Sequence, residues 1–218
     1  MTKIAAFDVD AQKGFTPICP DELPVVGGDE IVEDLNRMAN LASFRLGSKD
    51  AHPENPIWLA TAEVPMLTKL DFEDADLAWN RHCVVGTKGF ELLDGLPKPK
   101  EYDFFVWKGQ EPDLHPYGAC YHDIQEKLET GVFDFLRAKE VSVVLVAGLA
   151  YDFFVATTAL QLAKEGFKVV VFKKATRSIS EETEKLATQK MIENDIVIIE
   201  THEELIRFVR NLEPGVAL

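Results

Sequence analysis

The chain has 218 residues, 46% hydrophobic and 28% charged, enough to bury one substantial core and too few for a second, so a single domain over residues 1–218 is expected. Its formal net charge of -14 leaves no cationic surface to neutralise phosphates, which argues against nucleic acid and anionic membranes as partners. No basic segment followed by an apolar stretch opens the chain, and Cys19, Cys83 and Cys120 are too few and too far apart for a disulfide framework, so a reducing, cytoplasmic setting is expected.

Apolar, β-branched runs alternate with segments whose apolar residues recur at helical spacing. In chain order the pattern predicts a strand over Ile4 to Val9, a helix over Asp29 to Asn40, and strands over Phe44 to Ser48 and Phe104 to Lys108. A helix over Ile124 to Lys139 follows, then a strand over Val141 to Ala147 and a helix over Asp152 to Glu165. The remainder reads as a strand over Lys168 to Phe172, a helix over Glu181 to Asn194, a strand over Ile196 to Ile199 and a helix over Glu203 to Leu212. Such alternation predicts an α/β fold, three layers deep (α/β/α), around a six-stranded, mostly parallel sheet. Ligands of open parallel sheets bind beyond the carboxyl ends of the strands, so the polar residues there are the candidates for chemistry.

The first strand ends in Asp8-Val9-Asp10, where alternation puts both carboxylates on one side and spacing does not choose between them. The second ends in Asp50-Ala51-His52-Pro53, and in an extended segment Asp50 and His52 project together, as a carboxylate and an imidazole sharing one metal ion would. A second imidazole, His82, follows in a loop-like stretch; two imidazoles and one carboxylate leave open coordination positions, as catalytic metal sites do. Lys108 closes the third strand. The fourth runs through Gly148 and Ala150 into a helix start, a place where backbone N–H groups converge with the positive end of a helix dipole. His115, His122 and His202 read as surface residues rather than ligands, although His115 falls close enough to Lys108 to line a pocket mouth.

Taken together, these segments resemble the nicotinamidases, a branch of the isochorismatase-like cysteine hydrolases. Asp10-Ala11-Gln12 with Phe15 is similar to the family's D-x-Q-x-x-F, and Asp50-Ala51-His52-Pro53 to its D-x-H-P. His82-Cys83-Val84-Val85-Gly86-Thr87-Lys88-Gly89 is similar to its H-C-V-x-G-T-x-G, and Lys108-Gly109 with Asp113 and Tyr117-Gly118-Ala119 to its lysine segment. Gly148-Leu149-Ala150-Tyr151-Asp152-Phe153-Phe154-Val155 parallels G-x-A-T-D-x-C-V. The resemblance implies hydrolysis of nicotinamide to nicotinate, with Asp10 as general base and Lys108 beside it. It also implies an oxyanion hole from the N–H groups of Ala150 and residue 154, a cis Leu149-Ala150 peptide, and a divalent metal, zinc first, with iron or manganese next, on Asp50, His52 and His82. A small pyridine-carboxamide ligand and a homo-oligomeric assembly follow from the same likeness.

The nucleophile's position in that motif is Phe154, and a phenyl ring has no lone pair with which to attack a carbonyl. Cys120 stands where the family commonly has an aromatic residue. An exchange of the two side chains would conserve core volume if they touch; the sharper alternative makes Cys120 a nucleophile on another wall of the pocket. Three readings follow: a metal-containing pseudoenzyme that binds without turnover, a hydrolase in which metal-bound water is activated with Asp10 as proton acceptor, or a structural subunit of an active relative.

Overall fold

A computed structural model describes residues 2–212. Six strands, β1 (Lys3–Val9), β2 (Phe44–Asp50), β3 (Phe104–Lys108), β4 (Val141–Leu149), β5 (Lys168–Arg177) and β6 (Val197–Ile199), form one sheet in the order β3-β2-β1-β4-β5-β6, and every pairing is parallel. The central strands are nearly continuous apolar runs because both of their faces are covered; Val143 to Leu149 and Val169 to Phe172 are all buried. The α-helices of the described residues are α1 (Val32–Ala39), α2 (Val132–Ala138), α3 (Ala156–Lys164), α4 (Glu181–Glu193) and α5 (His202–Asn211).

Chain direction distributes them. From β1 the chain crosses to β2 in one direction, whereas from β3 it returns to β4 and proceeds to β5 and β6 in the other. Right-handed crossovers therefore place α1 on one face and α2, α3 and α4 on the opposite one. Contacts agree: Arg137 of α2 pairs with Glu165 just beyond α3, and His202 of α5 bonds Asp34 of α1 at 2.6 Å.

Several expected boundaries move. The helix expected from Ile124 starts only at Val132, because the Asp123 carboxylate accepts from the N–H groups of Lys127 and Leu128 and closes a turn there, and Gly131 takes a left-handed φ of 87°. The first helix is divided into a 3-10 turn, Gly28–Glu30, and α1. β2 and β5 run farther than their apolar residues suggest, to Asp50 and Arg177, and it is this polar extension of β2 that carries Asp50 to the sheet's edge. Before α3 the chain makes a π-helical turn, Tyr151–Val155, a form that often marks functional sites. No helix among the described residues is long and apolar enough to cross a membrane.

Candidate active site

Parallel register gathers the candidate residues at the carboxyl edge of the sheet. Asp50 and Lys108 are direct partners across β2 and β3, and Val9, just before Asp10, is paired with Gly148 of β4. Gly148 is required there: a Cβ would lie 1.9 Å from the Val9 carbonyl oxygen, and its φ is 130°. Beyond Val9 the backbone leaves the extended region, with Asp10 at a left-handed φ of 45°. That turn separates the two carboxylates that alternation had put together. Asp8 bonds Arg45 Nε at 2.8 Å and Tyr102 Oη at 3.0 Å, a structural cluster, while Asp10 faces Lys108.

Lys108 Nζ lies 3.1 Å from Asp10 Oδ2 and 2.5 Å from Asp50 Oδ1, and donates to the Pro116 carbonyl at 3.1 Å. Ser48 donates to Asp10 Oδ1 at 2.8 Å, and Gln12 clamps the Asp50 backbone, accepting from its N–H at 2.7 Å and donating to its carbonyl at 2.9 Å. One ammonium thus serves two buried carboxylates. Burial pushes the Asp10 carboxyl up to about 7 against the pull of Lys108, with Asp50 adding to the rise. At Asp50, burial is outweighed by Lys108, His52 and His82, which hold it well below the usual carboxylate range. Burial would lower Lys108, but Asp10 and Asp50 more than reverse it, so the amine stays charged.

Asp50 presents its other oxygen, Oδ2, to His52 Nε2 at 3.5 Å and His82 Nε2 at 3.9 Å. The remaining ring nitrogens face backbone carbonyls: His52 Nδ1 meets Gly109 at 3.0 Å, and His82 Nδ1 meets Asn80 at 2.6 Å. Both imidazoles then direct the lone pair of Nε2 inward, the arrangement in which metal-ligating histidines are held. Asp50 Oδ2, His52 Nε2 and His82 Nε2 are all buried without a hydrogen-bond partner, a costly state that a cation would relieve. The donor set therefore fits a divalent metal.

His115, expected at the surface, is 1% exposed and joins this cluster, with its ring 5.3 Å from that of His52 and stacked on it. The ligand atoms of His52, His82 and His115 all lie within 4.8 Å of one another. Its position in a short loop beside Pro116 gives no periodic signal; burial comes from Trp58 and Trp79, both remote in sequence. His202, also expected at the surface, is 8% exposed against Asp34, whereas His122 is half-buried.

Burial lowers His82 to about 3 and His115 well below the ordinary imidazole range, in both cases with help from neighbouring histidines. A depressed histidine stays neutral in the folded chain while its unfolded counterpart protonates below about 6.5. Each should therefore cost stability as pH falls below that value, by about 1.4 kcal/mol per pH unit. Asp10 acts in the opposite sense: raised to about 7, its contribution is full below about 4 and lost as pH rises through 7. In metal-free protein, His115→Phe should flatten the decline in stability between pH 6 and 4 by about one histidine's slope, read by urea denaturation at each pH. An unchanged slope would contradict the assignment.

The fourth strand enters the site through a cis Leu149-Ala150 peptide, in agreement with expectation, and the Ala150 carbonyl accepts from the N–H groups of Phe153 and Val155 at 3.3 and 3.1 Å. Phe154 follows, fully buried. Its ring centroid is 4.6 Å from Lys108 Nζ and 5.1 Å from the Phe15 ring. Cys120 packs beside α3, next to Ala119, whose N–H bonds Thr158 Oγ1, which in turn donates to the Phe154 carbonyl. Its backbone N–H bonds Gln161 Oε1 at 3.2 Å, and Gln161 lies seven residues, about 10 Å of helical rise, beyond Phe154. Burial pushes the Cys120 thiol up, and its charged neighbours are Glu126, Glu165 and Glu129, not Lys108 or Asp10. The geometry gives no support to Cys120 as a nucleophile.

A parallel α/β sheet with an aspartate, a lysine and a carboxylate–imidazole cluster at its carboxyl edge defines a hydrolase-type site. Residues 7–204 match the isochorismatase domain family. The chain is 30% identical to the nicotinamidase of Acinetobacter baylyi over 177 residues, 78% of this chain and 79% of that one. Among solved structures it is similar to an Acinetobacter baumanii nicotinamidase/pyrazinamidase, with a TM-score of 0.82, 28% identity and coverage of 98% and 99%. It also resembles the pyrazinamidase of Pyrococcus horikoshii in complex with zinc, with a TM-score of 0.73, 28% identity and coverage of 91% and 99%. The chain belongs to the nicotinamidase/pyrazinamidase branch of the isochorismatase-like superfamily.

Proposed function

We propose that this chain is a metal-binding nicotinamidase-type protein that has lost cysteine-dependent amide hydrolysis, the loss lying at Phe154. The observation that carries the reading is the fully buried Phe154 ring over the Lys108 ammonium, on the turn whose sequence parallels the family's G-x-A-T-D-x-C-V at its cysteine. A phenyl ring can neither attack a carbonyl nor leave room for an acyl group. A positive charge 4.6 Å from the ring centroid is a favourable cation–π contact, so the aromatic side chain is accommodated as a packed part of the site.

The rest of the constellation supports binding. Asp50, His52 and His82 would hold a divalent metal, zinc first, which when bound supplies a Lewis-acidic point for a ring nitrogen or another lone-pair donor. Lys108 keeps Asp50 ionised for that metal, and Gln12 fixes the Asp50 backbone. The ligand class is a small pyridine carboxamide, in keeping with the substrates for which the relatives are named. A second reading, residual hydrolysis by another route, is favoured by Asp10 alone: a buried carboxyl pushed up to about 7 is suited to accept a proton near neutrality.

Ammonia release from nicotinamide and pyrazinamide by the zinc-loaded protein, with and without chelator, separates these readings. No release above buffer is expected in either case. Chelator-sensitive turnover would favour the second reading, and chelator-insensitive turnover at an ordinary enzymatic rate would overturn the proposal.

A further inference from the structure

We infer that His115 is a fourth protein ligand to the metal, closing the coordination sphere that Asp50, His52 and His82 leave open. This rests on the reading that the cluster binds a metal, and adds to it a closed site. Three observations carry it. Both ring nitrogens of His115 are buried without a hydrogen-bond partner, so the imidazole has no polar function among its described neighbours. Its ligand atom lies within 4.8 Å of those of His52 and His82, while Asp50 Oδ2 is 3.5 and 3.9 Å from the Nε2 atoms of the same two rings. The ring is held in place by aromatic contacts alone, at 4.4 Å to Trp58, 5.8 Å to Trp79 and 5.2 Å to Tyr117.

Four ligands about 2.1 Å from a tetrahedral zinc stand about 3.4 Å apart. The observed separations exceed this by about 0.1 and 0.5 Å for the pairs of Asp50 with His52 and His82, and by up to about 1.4 Å among the three imidazoles, so an inward movement of the rings would complete the shell. Structural zinc sites are closed by four protein ligands, whereas catalytic ones keep a position for water or substrate. His115 would convert an open three-ligand site into a closed one. The consequence agrees in kind with Phe154, since neither the attacking group nor the vacant metal position would remain.

His115 differs from its neighbours in one respect. The second ring nitrogens of His52 and His82 are anchored by carbonyls, and that of His115 is not. It is therefore the ligand most easily displaced, and an added donor would have to compete with it.

The test is X-ray absorption at the zinc edge of wild type, His115→Phe and Asp50→Ala, together with zinc affinity. Phe keeps an aromatic ring among Trp58, Trp79 and Tyr117 but removes the lone pair. Wild type should fit three imidazoles and one oxygen; His115→Phe should fit two imidazoles with a nonprotein ligand, and bind zinc at least about tenfold more weakly, the low end of what loss of a mere supporting partner costs. As a second variant, His115→Ala in the cobalt-loaded protein should give a visible spectrum that shifts with azide, unlike that of wild type. Two imidazoles in wild type, unchanged in His115→Phe, would overturn the inference while leaving the three-ligand reading intact. Zinc affinity unaffected by Asp50→Ala, or absent from wild type, would overturn both.

Discussion

Phe154→Cys is expected to create a thiol that alkylates rapidly near neutral pH and to raise nicotinamide hydrolysis roughly a hundredfold or more above wild type. That is a small part of the ~10⁶ that loss of a nucleophile can cost a hydrolase. Sulfur at this position would face the Lys108 ammonium, which now lies 4.6 Å from the Phe154 ring centroid, at the start of a helix. Burial would raise the thiol's pKa, but the ammonium and the helix dipole lower it, and thiolates are stabilised by such surroundings. Asp10, pushed up to about 7, could take the thiol proton and return it to the departing nitrogen, so that thiolate attack on the amide carbon forms a thioester and releases ammonia, and water then cleaves the thioester to nicotinate and free thiol.

Full activity is not expected. Replacing a fully buried phenyl by a small side chain opens a cavity, with a cost approaching the ~3–5 kcal/mol of a phenylalanine-to-alanine change. Catalytic groups tolerate displacements of only about half an ångström. His115 would also compete for the metal position. Adding His115→Ala to Phe154→Cys should therefore raise the rate further, measured by ammonia release in a double-mutant cycle. Slow alkylation together with no hydrolysis in either variant would show that the pocket has diverged beyond recovery by one sulfur.

The second large effect concerns Lys108. Lys108→Met in the metal-free protein should destabilise the fold by about 3–5 kcal/mol, because it leaves buried carboxylates without their counter-ion. For a chain of this size that corresponds to a fall in Tm of roughly 6–20 °C. Lys108 Nζ is 3.1 Å from Asp10 and 2.5 Å from Asp50, and all three side chains are fully buried. The deficit should shrink as pH falls from 8 to 5, since the orphaned carboxylates can then be neutralised by protonation. Adding Asp10→Asn should recover part of the loss. A change within about 1 kcal/mol would mean that water reaches the triad, because exposed ion pairs are worth no more than that.

Much of this was legible in the chain. Continuous Val-rich runs announced β4 and β5 because a parallel strand covered on both faces has no polar side to hide. The carboxylate–imidazole spacing of Asp50 and His52 survived as geometry, and Lys108 emerged opposite Asp50 by register. Three things were not legible from spacing and periodicity, although the family resemblance had already picked out Asp10. The choice between Asp8 and Asp10 depends on one left-handed residue beyond the strand and on Arg45 and Tyr102, distant residues that capture Asp8. His115 owes its burial to Trp58 and Trp79, brought together by irregular segments without period. Helix α2 begins late because a single aspartate, Asp123, closes a turn ahead of it, a side-chain choice that apolar spacing does not record.

A single-turnover experiment, with zinc-loaded wild-type protein in excess over nicotinamide and the quenched mixture read for nicotinate and for the mass of the chain, decides whether amide hydrolysis has been lost at Phe154. No nicotinate above the protein-free control and a chain of unaltered mass are expected, because Phe154 offers no atom on which an acyl group can form. Stoichiometric nicotinate, accompanied by a chain carrying a nicotinoyl group, would contradict that loss.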